Sequence, residues 1–467
     1  MATAYIIGLG RSGIAAAKCL KQDGWEVIIS DRATSENLNP LQQQLQAEGI
    51  TVKLGHTPNL NSNALPKLIV VSPGVPWDIP FLIEAREKNI DTIGELELAW
   101  RYLNSSPWVG ITGTNGKTTT TALVAAIFQG AKLNAPSCGN IGYAACELAL
   151  SQLQKDSTSN YDWIIAEVSS YQCESSQALS PKIGLWTTFT ADHLNRHKTL
   201  ENYYAIKASL LYRSEYQVFN SDDPYLHQTG LHQWADAYWT TVKGKENLLC
   251  DSSKGVYIQD NWVVAFGDLI LPLNLFKMPG SHNQQNLLMA IAAARLAGIE
   301  KGAIASAIAT FKGVPHRLEY ITTIDGIDFI NDSKATNYDA AEVGLLSVKS
   351  PAILIAGGEG KEGDDNKWIA QIKSKAAKVL LIGEAAENFA KRLHDADYHN
   401  YEILETMDKA VERSLTIGRE VKAKVVLLSP ACASFDQYQS FEHRGDDFKE
   451  LCQKLKDSCF TILRGDR

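Results

Sequence analysis

Gly110-Ile111-Thr112-Gly113-Thr114-Asn115-Gly116-Lys117-Thr118-Thr119-Thr120 is the stretch on which the reading of this chain turns. It follows an apolar run of β-formers, Trp108 to Thr112. It precedes a helical pattern, Ala122-Leu123-Val124-Ala125-Ala126-Ile127-Phe128. Strand, glycine turn, Lys-Thr and helix form the layout of a phosphate-cradling loop. Backbone N–H groups and the helix N-terminus face the anion, the lysine reaches the outer phosphates, and a threonine hydroxyl is free for Mg²⁺. The common consensus wants a further glycine where Ile111 stands, so this is a shorter G-x-x-G-K-T-T variant. A nucleoside triphosphate is the expected ligand of Gly113 through Thr119, with a purely structural turn as the alternative.

Outward from the loop, 467 residues exceed a single core and imply several domains. With 45% hydrophobic and 21% charged residues the composition is that of a soluble globular protein, and the net charge of -8 offers no field for nucleic acid or an anionic membrane. No apolar run is long enough to span a bilayer, and the N-terminus has no signal-peptide pattern, so a cytoplasmic protein is expected. The eight cysteines form no C-x-x-C pair and read as reduced, small apolar side chains.

The expected fold class is α/β in three domains. Residues 1–93 form a Rossmann-like N-terminal unit. Residues 94–313 form a central P-loop ATPase-like unit with a parallel sheet and a small antiparallel excursion between about Tyr238 and Phe276. Residues 314–467 form a second Rossmann-like unit. In the first, strand Tyr5-Ile6-Ile7 leads into Gly8-Leu9-Gly10-Arg11-Ser12-Gly13 and a helix, and a second strand ends at Asp31. Glycines so placed, with an acid about 20 residues on, suit a diphosphate-plus-ribose ligand; a tight turn needing glycines is the other reading. Leu68 to Val75 reads as a third strand that supplies a lip to that site. In the central unit an apolar strand ends in Glu167, and another is followed by Asp192-His193, positions where open α/β sheets bind ligands. Ser281 to Leu296 reads as a helix with Leu287, Leu288, Ile291 and Leu296 on its apolar stripe. Three further buried strands are expected at Pro351–Gly358, Val379–Gly383 and Val425–Pro430.

Three sites in three domains suit an enzyme that joins two substrates with ATP between them. Glu167-Val168-Ser169-Ser170-Tyr171-Gln172, Asp192-His193, His316-Arg317-Leu318-Glu319, Asn331-Asp332-Ser333-Lys334-Ala335-Thr336-Asn337, Gly357-Gly358-Glu359-Gly360-Lys361 and Leu428 to Gly445 complete a set. With the phosphate loop, and in the same order and spacing, they resemble the Mur ligases of peptidoglycan synthesis over essentially the whole chain. The Ser-Ser-Tyr-Gln after Glu167, the short opening glycine motif and Ser429-Pro430-Ala431-Cys432-Ala433-Ser434-Phe435-Asp436 resemble the branch that adds D-glutamate to UDP-N-acetylmuramoyl-L-alanine.

The resemblance implies a small-molecule ligase, expected to be a cytoplasmic monomer, with ATP and two Mg²⁺ ions. Lys117 would lie on the phosphates. Thr118, Glu167, His193 and a carbamylated Lys207 would hold metal, and Asn286, Arg317 and Asp332 would contact nucleotide. Ser12, Asp31, Arg32 and Gly74 would hold the uridine diphosphate, Asn140 and His193 the muramoyl-alanine end, and Thr336, Lys361, Ser434 and Phe441 the D-glutamate. On residue pattern alone Lys207 is an ordinary surface lysine of a helix, and no role follows for Lys334. Closure of the third domain is a further expectation. Another Mur ligase or a folylpolyglutamate-synthase-like enzyme would share the central loop. A nicotinamide dehydrogenase would leave Lys117 and Glu167 without a task, and a P-loop motor would hydrolyse ATP with no amino acid present.

Overall fold

The computed structural model describes residues 2–35, 38–60, 65–154, 161–360 and 363–465, with side chains to residue 458. Lys361 therefore lies outside the described residues. The chain divides into two compact units, Met1–Phe276 with Gln284–Phe311, and Lys277–Asn283 with Lys312–Arg467.

The first unit holds two sheets. Strands β1 (Thr3–Ile7), β2 (Glu26–Ser30), β3 (Thr51–Lys53), β4 (Leu68–Val71) and β5 (Asp91–Gly94) are parallel in the order β3-β2-β1-β4-β5. The chain leaves β1 for β2 on one side and reaches β4 on the other. The glycine turn after β1 thus opens at the point where strand order reverses, which is where such sheets bind ligands.

The second sheet contains β6 (Trp108–Thr112), β7 (Ser137–Gly139), β8 (Ile164–Glu167), β9 (Ile183–Trp186), β10 (Tyr216–Asn220), β11 (Tyr238–Thr241), β12 (Gly255–Gln259), β13 (Trp262–Ala265) and β14 (Asp268–Pro272), in the order β14-β13-β12-β11-β10-β9-β6-β8-β7. Strands β6, β8 and β9 are buried along their whole length, as strands covered by helices on both faces must be. The antiparallel excursion is shorter than its sequence span suggests. β11 and β12 still pair in parallel, and only β12-β13-β14 run antiparallel, extending the same sheet.

Helix Glu95–Leu103 joins the two sheets, and apolar residues on both sides of it belong to one continuous core. Its first residue is buried at 1% exposure. One Glu95 carboxylate oxygen accepts the Cys146 N–H at 2.6 Å, while the other has no partner among the described residues. Burial pushes this carboxyl up to about 7. An acid whose folded pKa is raised adds no penalty below its unfolded value of 4.5. The penalty grows between pH 4.5 and 7 and is complete above that, at about 3 kcal/mol for a shift of this size. Glu95→Gln keeps the acceptor and removes the charge. Its urea midpoint is expected to exceed that of the parent at pH 8.5, with the difference vanishing below pH 5.

In the second unit β15 (Glu319–Ile324), β16 (Ile327–Asn331), β17 (Ala352–Gly357), β18 (Ala376–Ile382), β19 (Tyr401–Glu405) and β20 (Val425–Leu428) are ordered β15-β16-β20-β17-β18-β19. All pairs are parallel except the β15–β16 hairpin at one edge, which the hydrophobic pattern did not announce. Separate apolar clusters cover the two faces. No described helix is long and apolar enough to cross a membrane.

Candidate active site

In the second sheet β6 lies between β8 and β9, so the loops leaving the carboxyl ends of all three emerge side by side. The loop after β6 passes directly into helix Lys117–Gly130. Gly116 takes φ +82°, and a Cβ there would collide with the Asn286 amide oxygen, so both conformation and space demand glycine. Asn286, buried on helix Ser281–Leu296, also accepts the Thr120 hydroxyl at 3.2 Å. It backs the loop directly.

The segment after β9 staples the loop from the other side. Thr187 Oγ1 donates to the Asn115 carbonyl at 2.5 Å, Thr188 Oγ1 accepts the Asn115 N–H at 2.9 Å, and the Thr114 N–H donates to the Thr188 carbonyl at 2.8 Å. Thr114 Oγ1 donates to the Thr190 carbonyl at 3.0 Å. Sequence reading passed over Thr187 and Thr188. Two hydroxyls immediately past a buried strand were the available signal.

Lys117 folds back over its own loop, its Nζ donating to the carbonyls of Gly113 at 2.9 Å and Thr114 at 2.8 Å. Lys207 approaches the same place from helix Leu200–Tyr212. It is 1% exposed, and its Nζ donates to the Gly113 carbonyl at 2.9 Å and the Thr112 hydroxyl at 3.3 Å, 4.9 Å from the Tyr203 ring centroid. The surface reading of its helix pattern is thereby replaced by a buried one. Burial first, and then the charge of Lys117, lower its pKa to about 7.

Glu167 closes β8 at 1% exposure. Its Oε1 accepts the Asn140 amide at 2.8 Å, and the Asn140 N–H donates to the Glu167 carbonyl at 2.9 Å. Its Oε2 is buried with no hydrogen-bond partner among the described residues. An ionisable oxygen in that condition is costly unless a cation or donor arrives from outside the protein. Immediately after it, Ser169 and Gln172 form a reciprocal capping box that starts helix Ser170–Glu174. The Ser-x-x-Gln spacing is thus local structure that aims Glu167 and Tyr171.

The Tyr171 hydroxyl lies 3.2 Å from His193 Nδ1, and His193 Nε2 lies 3.4 Å from Asp192. His193 itself holds φ +53°. His197 is buried between the rings of Tyr171 and Tyr203, with Nε2 2.9 Å from the Ser170 hydroxyl; burial lowers its pKa to about 4, so it stays neutral. Thr118 is buried in the first turn of its helix. Among the described residues no three His, Cys, Asp or Glu side chains form a metal site by themselves. The donors present suit a cation shared with phosphate oxygens, the usual way in which Mg²⁺ is held.

The first-domain loops after β1, β2 and β4 line one cleft, with Gly8, Asp31, Arg32 and Gly74 joined by His56, Thr57 and Phe81. Asp31 accepts the Leu9 N–H at 2.6 Å and the Ala33 N–H at 2.8 Å, so its carboxylate shapes the glycine turn. Ser12 is not part of that lining. Arg11, inside the glycine motif, makes a pair of hydrogen bonds to Glu147 at 2.9 and 3.0 Å.

Within the second unit Asp332 is buried, accepting the Ser429 hydroxyl at 2.9 Å; burial raises its pKa to about 7, opposed by Ser429 and by the charge of Arg317. Ser434 is 2% exposed, and Lys334 Nζ lies 5.2 Å from the Phe441 ring. The organiser here is Arg444, which the motif contained but no role was read for. Almost fully buried, it donates to the Ser333 hydroxyl and carbonyl and to the carbonyls of Cys432 and Ala433 at 2.8 to 3.1 Å. It thereby locks the loop running to Thr336 against the loop running to Ser434.

Comparison with known proteins places this arrangement. The Mur ligase MurD-like N-terminal domain matches residues 2–94, the Mur ligase middle domain 111–294, and the Mur ligase glutamate ligase domain 316–432. The chain belongs to the Mur ligase family and is an ATP-dependent ligase of peptidoglycan precursor synthesis. The UDP-N-acetylmuramoylalanine--D-glutamate ligase of Crocosphaera subtropica is 90% identical over 97% of this chain and 100% of its own length. The enzyme of the same name from Rippkaea orientalis is 77% identical over 98% and 100%. In fold, the chain is similar to the UDP-N-acetylmuramate-alanine ligase of Thermotoga maritima, with a TM-score of 0.59 at 18% identity over 98% of this chain and all of that one.

Proposed function

We propose that this chain adds D-glutamate to UDP-N-acetylmuramoyl-L-alanine in the cytoplasm, cleaving ATP to ADP and phosphate. The observation that carries the reading is the buried Glu167 oxygen, without a hydrogen-bond partner among the described residues, at the end of the strand beside the phosphate loop. The names of the 90% and 77% identical relatives give it its substrates.

A carboxylate is a poor electrophile. Its oxygen attacks the γ-phosphorus, a C–O–P linkage forms, and the bond to the β-phosphate oxygen breaks to release ADP. The D-glutamate amine then attacks the acyl carbon, loses a proton, and expels phosphate. Bringing one anion to another is opposed by charge repulsion that only nearby cations and donors offset. Lys117, drawn away from its loop carbonyls, supplies one positive charge to the outer phosphates, and the loop N–H groups supply dipoles. Thr118, Glu167, His193 and a carbamylated Lys207 would hold Mg²⁺, which would supply charge neutralisation between the phosphates. Asn140, fastened to Glu167, is suited to the alanyl end of the acceptor. The first-domain cleft, with Asp31, Arg32 and Gly74, is suited to the uridine diphosphate. On the second unit Arg317 and Asp332 are proposed for the nucleotide, and Thr336, Lys361, Ser434 and Phe441 for D-glutamate.

The test is phosphate release with UDP-N-acetylmuramoyl-L-alanine and a panel of amino acids. D-glutamate is expected to support turnover, and L-alanine, L-glutamate and diaminopimelate are not. Turnover with one of those instead would reassign the substrate, and phosphate release without any amino acid would refute the ligase assignment.

A further inference from the structure

Between the first-domain cleft and the His193 turn lies a group of charged side chains with no task in the reaction above. Arg196 sits in the one-turn helix Leu194–His197, and its side chain is only 13% exposed. One guanidinium nitrogen donates to Asp78 at 2.9 Å and another to Glu174 at 2.6 Å. Asp78 lies in the segment whose Gly74, Pro76, Ile79 and Phe81 line the cleft. Glu174 ends the short helix that begins just after Glu167 and carries Tyr171.

Both faces of the His193 turn lead back to Arg196. Its N–H donates to the His193 carbonyl at 3.0 Å. Its guanidinium carbon lies 5.8 Å from the ring centroid of Tyr171, whose hydroxyl meets His193 Nδ1. A left-handed histidine persists only where its surroundings hold it there. The ordinary explanation of such a group is a surface ion pair. With Asp78 64% exposed, the Asp78–Arg196 contact contributes little to stability. For the same reason that contact is easily remade when the cleft lip moves, whereas the Glu174 contact, more buried, anchors the arginine.

We propose that Arg196 is a positioning residue that couples the lip of the first-domain cleft to His193. A nucleoside diphosphate in the cleft orders the segment bearing Asp78, Asp78 holds Arg196, and Arg196 holds the His193 turn in its active geometry. The inference rests on the assignment of the uridine diphosphate to this cleft.

The experiment is hydrogen exchange of the full chain with and without UDP, on the parent and on Asp78→Ala and Arg196→Lys, paired with steady-state kinetics. In the parent, UDP is expected to slow exchange over residues 74–81 and also over residues 193–198. In both variants the first protection remains and the second is lost. Kinetically, each variant lowers kcat by about tenfold and raises the half-saturating Mg²⁺ concentration, with KM for ATP unchanged. The double variant is no worse than Arg196→Lys alone. UDP protection confined to 74–81 in the parent, or persisting over 193–198 in Asp78→Ala, overturns the coupling while leaving the ligase reading intact. UDP that protects neither segment removes the cleft assignment and the coupling together.

Discussion

Lys207→Ala is expected to lower ADP formation by about a thousandfold, the scale on which a site loses a fixed electrostatic partner of the transferring phosphate. Excess Mg²⁺ should not restore it, whereas short carboxylates such as acetate or propionate should do so in part. The argument starts from burial. At an ordinary lysine pKa the neutral amine is well under one in a hundred at pH 8, while at a value of about 7 it is roughly nine-tenths of the population. Only the neutral amine attacks CO₂; a nitrogen–carbon bond forms, a proton leaves, and a cation becomes an anionic oxygen ligand. An unmodified ammonium beside Thr112 and Gly113 would instead repel a divalent ion. Mass measurement of the intact protein, kept in bicarbonate, should show the added CO₂ in the parent and not in the variant. A variant that loses activity with no rescue by any carboxylate would leave Lys207 a structural lysine.

Glu167→Gln should come next in size, with a loss of about a hundred- to a thousandfold in kcat and a raised Mg²⁺ requirement. The substitution preserves shape and still offers Asn140 an acceptor where Oε1 does so now. What disappears is the charge on the buried oxygen that has no hydrogen-bond partner among the described residues. Because a buried carboxylate oxygen without a hydrogen-bond partner is unfavourable when no ligand is bound, the variant should melt at or above the parental temperature. Reduced activity together with undiminished stability separates a ligand-directed carboxylate from a capping one. Loss of stability with unchanged Mg²⁺ dependence would assign Glu167 to the fold instead.

The legible part of this protein was its periodicity and punctuation. The strand ending in Glu167 and the strands that stop one residue before Gly113 and Asp31 are legible because runs of β-formers closed by glycine or acid report a strand edge without reference to neighbours. The β15–β16 hairpin went unread because its partly exposed, mixed pattern resembles loop. The parallel pairing of β11 with β12 could not be seen because strand direction depends on where the chain returns. Chain order alone therefore determined the α/β class, the strand-turn-helix around Lys117 and the family. Only the fold decided that Lys207 is buried with a lowered pKa, that Arg11 is already paired with Glu147, that Thr187 and Thr188 brace the loop, and that Arg444 and Arg196 each hold distant segments together. A side chain's charge state and duties depend on its solvent and its partners, and those arrive from positions up to 166 residues away in the chain.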